Sequence, residues 1–303
     1  MQIITDSPKF CSEFLDDKKL QETDWQNDEI EPVVESLLGE NLISFALTKE
    51  IFWKYLIITE LADGSQFDAL IKLSKKYEIA DRILCIAGSG KKFHGFRKRP
   101  WVSLHGNIHL SVHLKPNQEI KNFASGLTIL SAVSVVQAID EIEELSGEAK
   151  IKWVNDIVIG KAKVSGVIAQ SQLQAGNVTN AILGIGVNVE SRPEVVKDSY
   201  IPEAACLNDF LNDNIKQSDF FPKLISKIEK NYKILLSDGC SELIEFYRDR
   251  SMILGNEVLI MTDPVDGKPE QMVQGKVVGI GENLELYLEG HKEPVTKGRL
   301  ILF

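Results

Sequence analysis

The sequence predicts an α/β (α+β) protein: a mixed central sheet with packed helices, followed by a small C-terminal β-barrel. Three observations carry this reading. Residues 151–189 hold three apolar runs separated by tight, polar-tipped turns, the pattern of consecutive strands in one buried sheet. Apolar positions at helical spacing recur between strand-like runs, at Phe67, Leu70, Ile71 and Leu73 and again from Phe123 to Ile139. After about residue 250 the texture changes to short strands divided by turns. With 303 residues the chain can bury a full core, and a larger domain with a small one appended fits better than a single unit.

The elements follow in order. Residues 1–50 are acidic, with Asp16, Asp17, Asp28, Glu29 and Glu31 between short apolar clusters, and are expected as an extra, partly helical layer on the main domain. Residues 55–58 start the sheet. Asp63-Gly64-Ser65-Gln66 then turns into a helix, with Ser65 suited to cap it. Residues 82–87 form the next strand, and Lys91, Lys92, Arg97, Lys98 and Arg99 make the densest basic run. Residues 108–114 alternate as a strand. On it His109 and His113 lie about 13 Å apart, too far to share one ion, and are expected on a polar face. An amphipathic helix is expected over 123–139. Beyond it, Asn155-Asp156 marks a strand end, Gly160-Lys161 connects residues 157–159 to 164–169, and Gly184 and Gly186 remove side chains where backbone or ligand comes close. Helices are expected over 218–236 and 240–250. Strands follow at 257–261, 274–280, 284–288 and 300–303, with turns at Asp266-Gly267, residues 281–283 and Gly290.

Composition excludes several classes. A formal net charge of −10 and a pI near 5.2 oppose non-specific nucleic-acid binding, because phosphate neutralisation needs clustered Lys and Arg. No apolar run reaches the roughly 18 residues of a membrane span, and no basic-then-apolar signal opens the chain. Cys11, Cys85, Cys206 and Cys240 lack the spacing of a zinc site or disulfide framework and suit reduced thiols of a cytoplasmic protein.

Residues 152–156 read Lys-Trp-Val-Asn-Asp, residues 163–168 Lys-Val-Ser-Gly-Val-Ile, and residues 184–189 Gly-Ile-Gly-Val-Asn-Val. A cation, a carboxylate, an amide and bare backbone thus meet around a sheet, a combination suited to a small carboxylic acid beside a nucleotide phosphate. These three elements resemble, in order, the signature of the biotin–protein ligase family: Lys-Trp-Pro-Asn-Asp, a Lys-x-x-Gly strand and a Gly-x-Gly-hydrophobic-Asn strand. Val154 stands where the family has Pro. The turn at 63–66 is similar to the family's Asp-Ser-Thr-Asn, and Ser103-Leu104-His105-Gly106-Asn107 to its Ser-Pro-x-Gly-Asn. The family's Gly-Arg-Gly-Arg-x-Gly-Arg-x-Trp loop has two registers here. Counting back from Trp101 matches Gly95, Arg97, Arg99 and Trp101, with Phe96 and His94 in arginine positions. The alternative sets residues 88–92, Gly-Ser-Gly-Lys-Lys, on the loop's core.

The resemblance runs from about Tyr55 onward. It implies a class II synthetase-like biotin/lipoate ligase catalytic domain over 51–250 and an SH3-like barrel over 251–303, after an N-terminal extension over 1–50. Some members carry an N-terminal winged helix-turn-helix; the acidic segment here is short for one and has the wrong charge for DNA. The implied activity is ATP-dependent conversion of biotin to biotinyl-5'-AMP, then transfer to a lysine of the biotin carrier domain of a carboxylase. Lys152 is implied as the catalytic cation, with Ser65, Gln66, Gly95, Trp101, Lys152, Gly166, Gly184 and Gly186 holding biotin. Lys91, Arg97, Arg99, Trp101, Asn155, Asp156 and Asn188 would hold ATP and the adenylate, and Asp156 and Asn188 the magnesium that ATP brings. If Phe96 leaves the adenylate short of one contact, Lys91 or Arg97 is expected to take over. No DNA or membrane partner is expected, and a homodimer is allowed. Two other readings stay open: a lipoate or octanoate ligase or transferase, and a ligase-like biotin-binding protein with weak turnover.

Overall fold

The computed structural model describes residues 1–15, 20–25, 27–39, 42–47, 51–195, 203–262 and 272–302. Asp16, Asp17 and the turn expected at Asp266-Gly267 lie outside these. Ten strands form one mixed sheet. The N-terminal segment supplies β1 (Gln2–Thr5), β2 (Leu20–Glu22) and β3 (Ile43–Leu47), with helices α1 (Pro8–Phe14) and α2 (Glu31–Leu37) between them. Then come β4 (Tyr55–Ala62), helix α3 (Gln66–Lys76), β5 (Ile83–Gly90), β6 (Ile108–Leu114) and helix α4 (Phe123–Ile139). The remaining strands are β7 (Ala149–Lys152), β8 (Asp156–Ile159), β9 (Ala162–Gln174) and β10 (Asn177–Val187). Their order is β2-β3-β1-β4-β5-β6-β10-β9-β8-β7. Only β1–β4 and β4–β5 pair in parallel among the described strands.

The N-terminal segment is therefore more than an added layer. Its acidic surface residues mask a short apolar strand, Ile3-Ile4, that enters the sheet between β3 and β4 and is fully buried.

Two cores sandwich the sheet. On one face α3 packs Phe67, Leu70 and Ile71 against Ile57, Ile83, Cys85 and Ile182, with Ile30, Val33 and Val34 beside them. On the other face lies α4, whose bounds match the expected 123–139. Its amphipathic character does not hold. Leu127, Ile129, Leu130, Ala132, Val133, Val135 and Val136 are all buried, because the sheet covers one side while α5 (Gln217–Asp238) and α6 (Ser241–Asp249) cover the other. Its buried hydroxyls, on Ser131 and Ser134, donate back to the carbonyls of Leu127 and Leu130.

The C-terminal unit is a four-stranded antiparallel sheet of β11 (Glu257–Thr262), β12 (Met272–Ile280), β13 (Leu286–Leu288) and β14 (Gly298–Leu302), in the order β13-β12-β11-β14. It is tied to the main sheet by the Trp153 indole, which donates to the Leu284 carbonyl at 2.7 Å. Arg248 Nε donates to the Ile280 carbonyl at 2.8 Å. Trp153 is thus buried structure, holding the β7–β8 turn against the smaller sheet.

His109 and His113 are buried, not on an exposed polar face. Their rows continue across β10 and lie under α3, where the layered helix excludes water. His113 is held between the Ala80 carbonyl and Asn180 Oδ1, each at 2.8 Å. Burial pulls the His109 pKa down to about 4, against the opposing hydrogen bond to Leu104 and with help from neighbouring His105.

Two outcomes follow from this architecture. Ile4→Ala removes apolar volume from a fully buried strand and should cost about 2–5 kcal/mol in denaturant unfolding, a loss that a merely appended segment would not show. For His109, the folded pKa lies below the unfolded value of roughly 6.5, so the unfolded chain binds the proton first. The stability this contributes is intact above about pH 6.5 and is lost as pH falls toward 4. Between pH 7 and 5 the protein should lose about 2 kcal/mol more than His109→Gln, measured as the shift in urea midpoint at each pH; equal losses would remove His109 as the cause.

Candidate active site

The site grows out of sheet register. Directly paired strand residues share a face. One row runs Ala87, His109, Gly186, Gly166, Asp156, Lys152 across β5, β6, β10, β9, β8 and β7. The next row on that face runs Cys85, Ser111, Gly184, Ile168. Three glycines therefore sit together on the α3 side of the sheet and leave a trough between larger neighbours. A Cβ at Gly184 would come within 2.8 Å of Ile168 Cγ1, and one at Gly186 would enter the Trp101 ring.

Over this trough lies a pocket with three walls. The start of α3 supplies Ser65, Gln66 and Phe67; the loop after β5 supplies Phe93, His94, Gly95, Phe96, Arg99, Pro100 and Trp101; the far side supplies Asn155, Asp156 and Lys163. Ser65 caps α3, its Oγ accepting from the Asp68 amide at 3.2 Å. Gln66 is only 2 % exposed, yet neither atom of its side-chain amide has a hydrogen-bond partner among the described residues. A buried amide with a free donor and a free acceptor is expensive unless something completes it.

The loop is tied at both ends. At its base Ser103 Oγ donates to the Gly90 carbonyl at 2.7 Å, and the Trp101 indole donates to His109 Nδ1 at 3.3 Å. His109 Nε2 meets the Leu104 carbonyl at 3.0 Å, so a neutral ring with its proton on Nε2 satisfies both contacts. At its tip Asp68 meets His94 Nε2 at 2.8 Å and Lys98 Nζ at 2.9 Å. Burial opposes ionisation of Asp68, but the hydrogen bonds from Lys98 and His94 outweigh it and hold its carboxyl below the usual range.

This geometry separates the two registers of the loop. Gly88 and Gly90 belong to β5 and are packed against Phe10 and Phe93, whereas residues 93–101 line the pocket. Lys91 is exposed near Asp63 at 3.8 Å and, like Arg97, does not line the wall; Arg97 lies over the Phe96 ring at 5.6 Å. The guanidinium that the loop brings to the wall is that of Arg99.

Two lysines lie on the trough face of the sheet, Lys152 and Lys163. Lys152 is buried opposite Asp156 but does not line the pocket; Lys163 does. Lys163 Nζ pairs with Asp156 at 2.5 Å and lies 5.7 Å over the Trp101 ring. The cause is a β-bulge. Pairing of β8 with β9 jumps from Ile157↔Ser165 to Val158↔Lys163, so Val164 is an extra residue. Strict alternation would put Lys163, three positions before Gly166, on the opposite face. The bulge returns it to the face of Gly166. The signal was present in the Lys-x-x-Gly spacing, but its meaning depended on the irregularity.

Asn188 lies beside the bulge. It is buried, outside the pocket wall, and its Nδ2 donates to the Ala205 carbonyl at 3.0 Å. Its own amide donates to the Val164 carbonyl, so it fastens the segment after residue 203 to the bulge. Asn155 lines the pocket while its Nδ2 donates to the Val167 carbonyl at 2.5 Å. Asn107, within the Gly-Asn match, accepts from the amides of Val189, Glu190 and Ser191 at 2.9–3.2 Å and anchors the end of β10. Among the described residues no group of three His, Cys, Asp or Glu side chains is placed to hold a metal, and no helix is long and apolar enough to cross a membrane.

Known proteins resemble the chain over most of its length. The model of the biotin/lipoate A/B protein ligase family matches residues 77–188, the stretch that holds the loop, the bulge and all three trough glycines. The bifunctional ligase/repressor BirA of Bacillus subtilis is 27 % identical over 258 residues, covering 83 % of this chain and 74 % of that protein. The biotin–[acetyl-CoA-carboxylase] ligase of Mycobacterium tuberculosis is 25 % identical over 215 residues, covering 69 % of this chain and 75 % of that one. In fold, the chain is similar to the biotin protein ligase from Aquifex aeolicus in complex with biotin and ATP, with a TM-score of 0.64 and 24 % identity over 82 % of this chain and 98 % of the other. Residues 77–188 are thus similar to the biotin/lipoate A/B protein ligase family, and over the wider chain the likeness runs to ligases such as those of Bacillus subtilis and Mycobacterium tuberculosis.

Proposed function

We propose that the protein activates biotin with ATP as biotinyl-5'-AMP and transfers it to a lysine of a carboxylase's biotin carrier domain. The observation that carries this reading is the buried, unpartnered Gln66 amide at one end of a glycine-floored trough whose other end holds Lys163. That layout fits a ligand with a neutral donor–acceptor group at one end, an apolar body, and a carboxylate at the other. Biotin has this shape. The Mycobacterium tuberculosis relative and the Aquifex aeolicus structure above are named for biotin, not lipoate, which weighs against the lipoate alternative.

In the first step a carboxylate oxygen attacks the α-phosphorus of ATP, the P–O bond to the leaving group breaks, and pyrophosphate departs. In the second, the carrier lysine amine attacks the carbonyl of the mixed anhydride; AMP leaves with the C–O bond pair and the amine gives up a proton. Lys163 offsets charge on the carboxylate and α-phosphate, exchanging its pairing with Asp156 for the ligand. Arg99 adds a second cation from the loop. Trp101, seated on Gly186 and oriented by His109, shields the anhydride from water.

Magnesium, accompanying ATP, would neutralise phosphate charge. One carboxylate with phosphates and water completing the shell suits that ion, and Asp156 fits this role. Asn188 is not given this role, because it lies outside the pocket wall.

Incubation with labelled biotin, ATP, Mg2+ and an apo carrier domain should label one carrier lysine. Binding of biotin without ATP-dependent transfer would favour the weak-turnover reading instead. Lys163→Met should lower biotin-dependent pyrophosphate exchange by about a hundredfold or more, as loss of a preorganised charge typically does, and Lys152→Met by less than tenfold; the reverse ranking would restore Lys152. Arg99→Ala should raise labelling of an unrelated bystander protein several-fold as adenylate escapes; no increase would show that Arg99 does not retain it.

A further inference from the structure

We propose that Asp68 is a positioning residue that latches the 93–101 loop over the pocket before any ligand arrives. What the loop encloses rests on the ligase reading; the latch itself does not.

Asp68 stands in the first turn of α3, two residues after Gln66, which lines the pocket. Its Oδ2 lies 2.8 Å from His94 Nε2, and its Oδ1 and Oδ2 lie 2.9 and 3.0 Å from Lys98 Nζ. His94 and Lys98 bracket Gly95, Phe96 and Arg97, so one carboxylate holds both ends of the loop's tip. The His94 side chain is 11 % exposed, packed edge-on to Phe67 at 6.4 Å, with Nδ1 at 3.0 Å from the Gly95 carbonyl. Phe96, by contrast, is 47 % exposed at the mouth and makes no such tie.

Backbone conformation supplies an independent reason for a tie. Arg97 and Lys98 both lie in the left-handed region, with φ of 59° and 57°. Two consecutive side-chain-bearing residues there are unfavourable and persist where surroundings hold them. Within the loop, Gly95 N donates to the Arg99 carbonyl and Trp101 N to the Phe93 carbonyl, both inside the hairpin itself. Side-chain hydrogen bonds from both His94 and Lys98 join its tip to Asp68 of α3. In this chain, then, a carboxylate on the pocket helix and a histidine and lysine on the loop pre-order a segment that lines the pocket.

The test is limited trypsin digestion of the full, ligand-free chain, reading cleavage after Arg97 and Lys98. Asp68→Asn should be nicked roughly three- to tenfold faster than wild type, the scale of two partly exposed ion pairs. Lys98→Arg, which keeps both the charge and a cleavage site, should stay near the wild-type rate. Raising salt should speed nicking of the wild type and leave Asp68→Asn unchanged. In biotin transfer, Asp68→Asn should raise KM for biotin three- to tenfold with kcat within twofold. Wild-type nicking in Asp68→Asn at an unchanged unfolding midpoint, or wild-type nicking indifferent to salt, overturns the latch. Absence of biotin transfer by the wild type would instead sink the ligase reading and leave the digestion result standing.

Discussion

The missing side chains at Gly166, Gly184 and Gly186 are the constraint on which the site depends. They lie on one face of the paired strands β9 and β10, beneath Trp101, Phe67 and Ile168. Any Cβ at Gly186 would occupy the space of the Trp101 ring, and Trp101 fastens the basic loop to the sheet through His109. Loop, indole and buried imidazole thus share one requirement: bare backbone beneath them. The low pKa of His109 belongs to the same chain of causes, since the burial that seats Trp101 also keeps the ring neutral and able to accept from the indole.

The second determinant is the bulge at Val164. It turns Lys163 onto the pocket face, within reach of Asp156 and above the Trp101 ring. Asn188 and the segment from residue 203 to 207 hold the bulge from outside, which explains a buried amide near the site that does not touch its interior. The cation depends on a strand irregularity, and the irregularity depends on this bracing.

Around these two features the fold is conservative in its physics. Ten strands bury a continuous apolar sheet between α3 on one side and α4 on the other, and α4 can be apolar all round because α5 and α6 enclose it. The acidic N-terminal segment takes part in this sheet through Ile3 and Ile4, so its charge describes its surface and not its role.

The sequence by itself determined the strands and helices of the core, the glycine trough and the resemblance to biotin–protein ligases, because these rest on local patterns: alternating apolar residues, helical periodicity, and motifs whose order survives without three-dimensional information. Ser65, Gln66, Asn155, Asp156, Trp101 and the three glycines were legible in this way and are brought together. Tertiary structure alone decided which lysine enters the pocket, since a one-residue bulge reverses the face of a strand without altering its composition. It also decided that Lys91, Arg97 and Asn188 stay out of the wall and that the N-terminal strand sits between β3 and β4. It brought Asp68, unremarkable in sequence, against His94 and Lys98, which lie 26 and 30 residues away. Contacts between distant segments are set by how the whole sheet and its helices pack, and no local pattern encodes them.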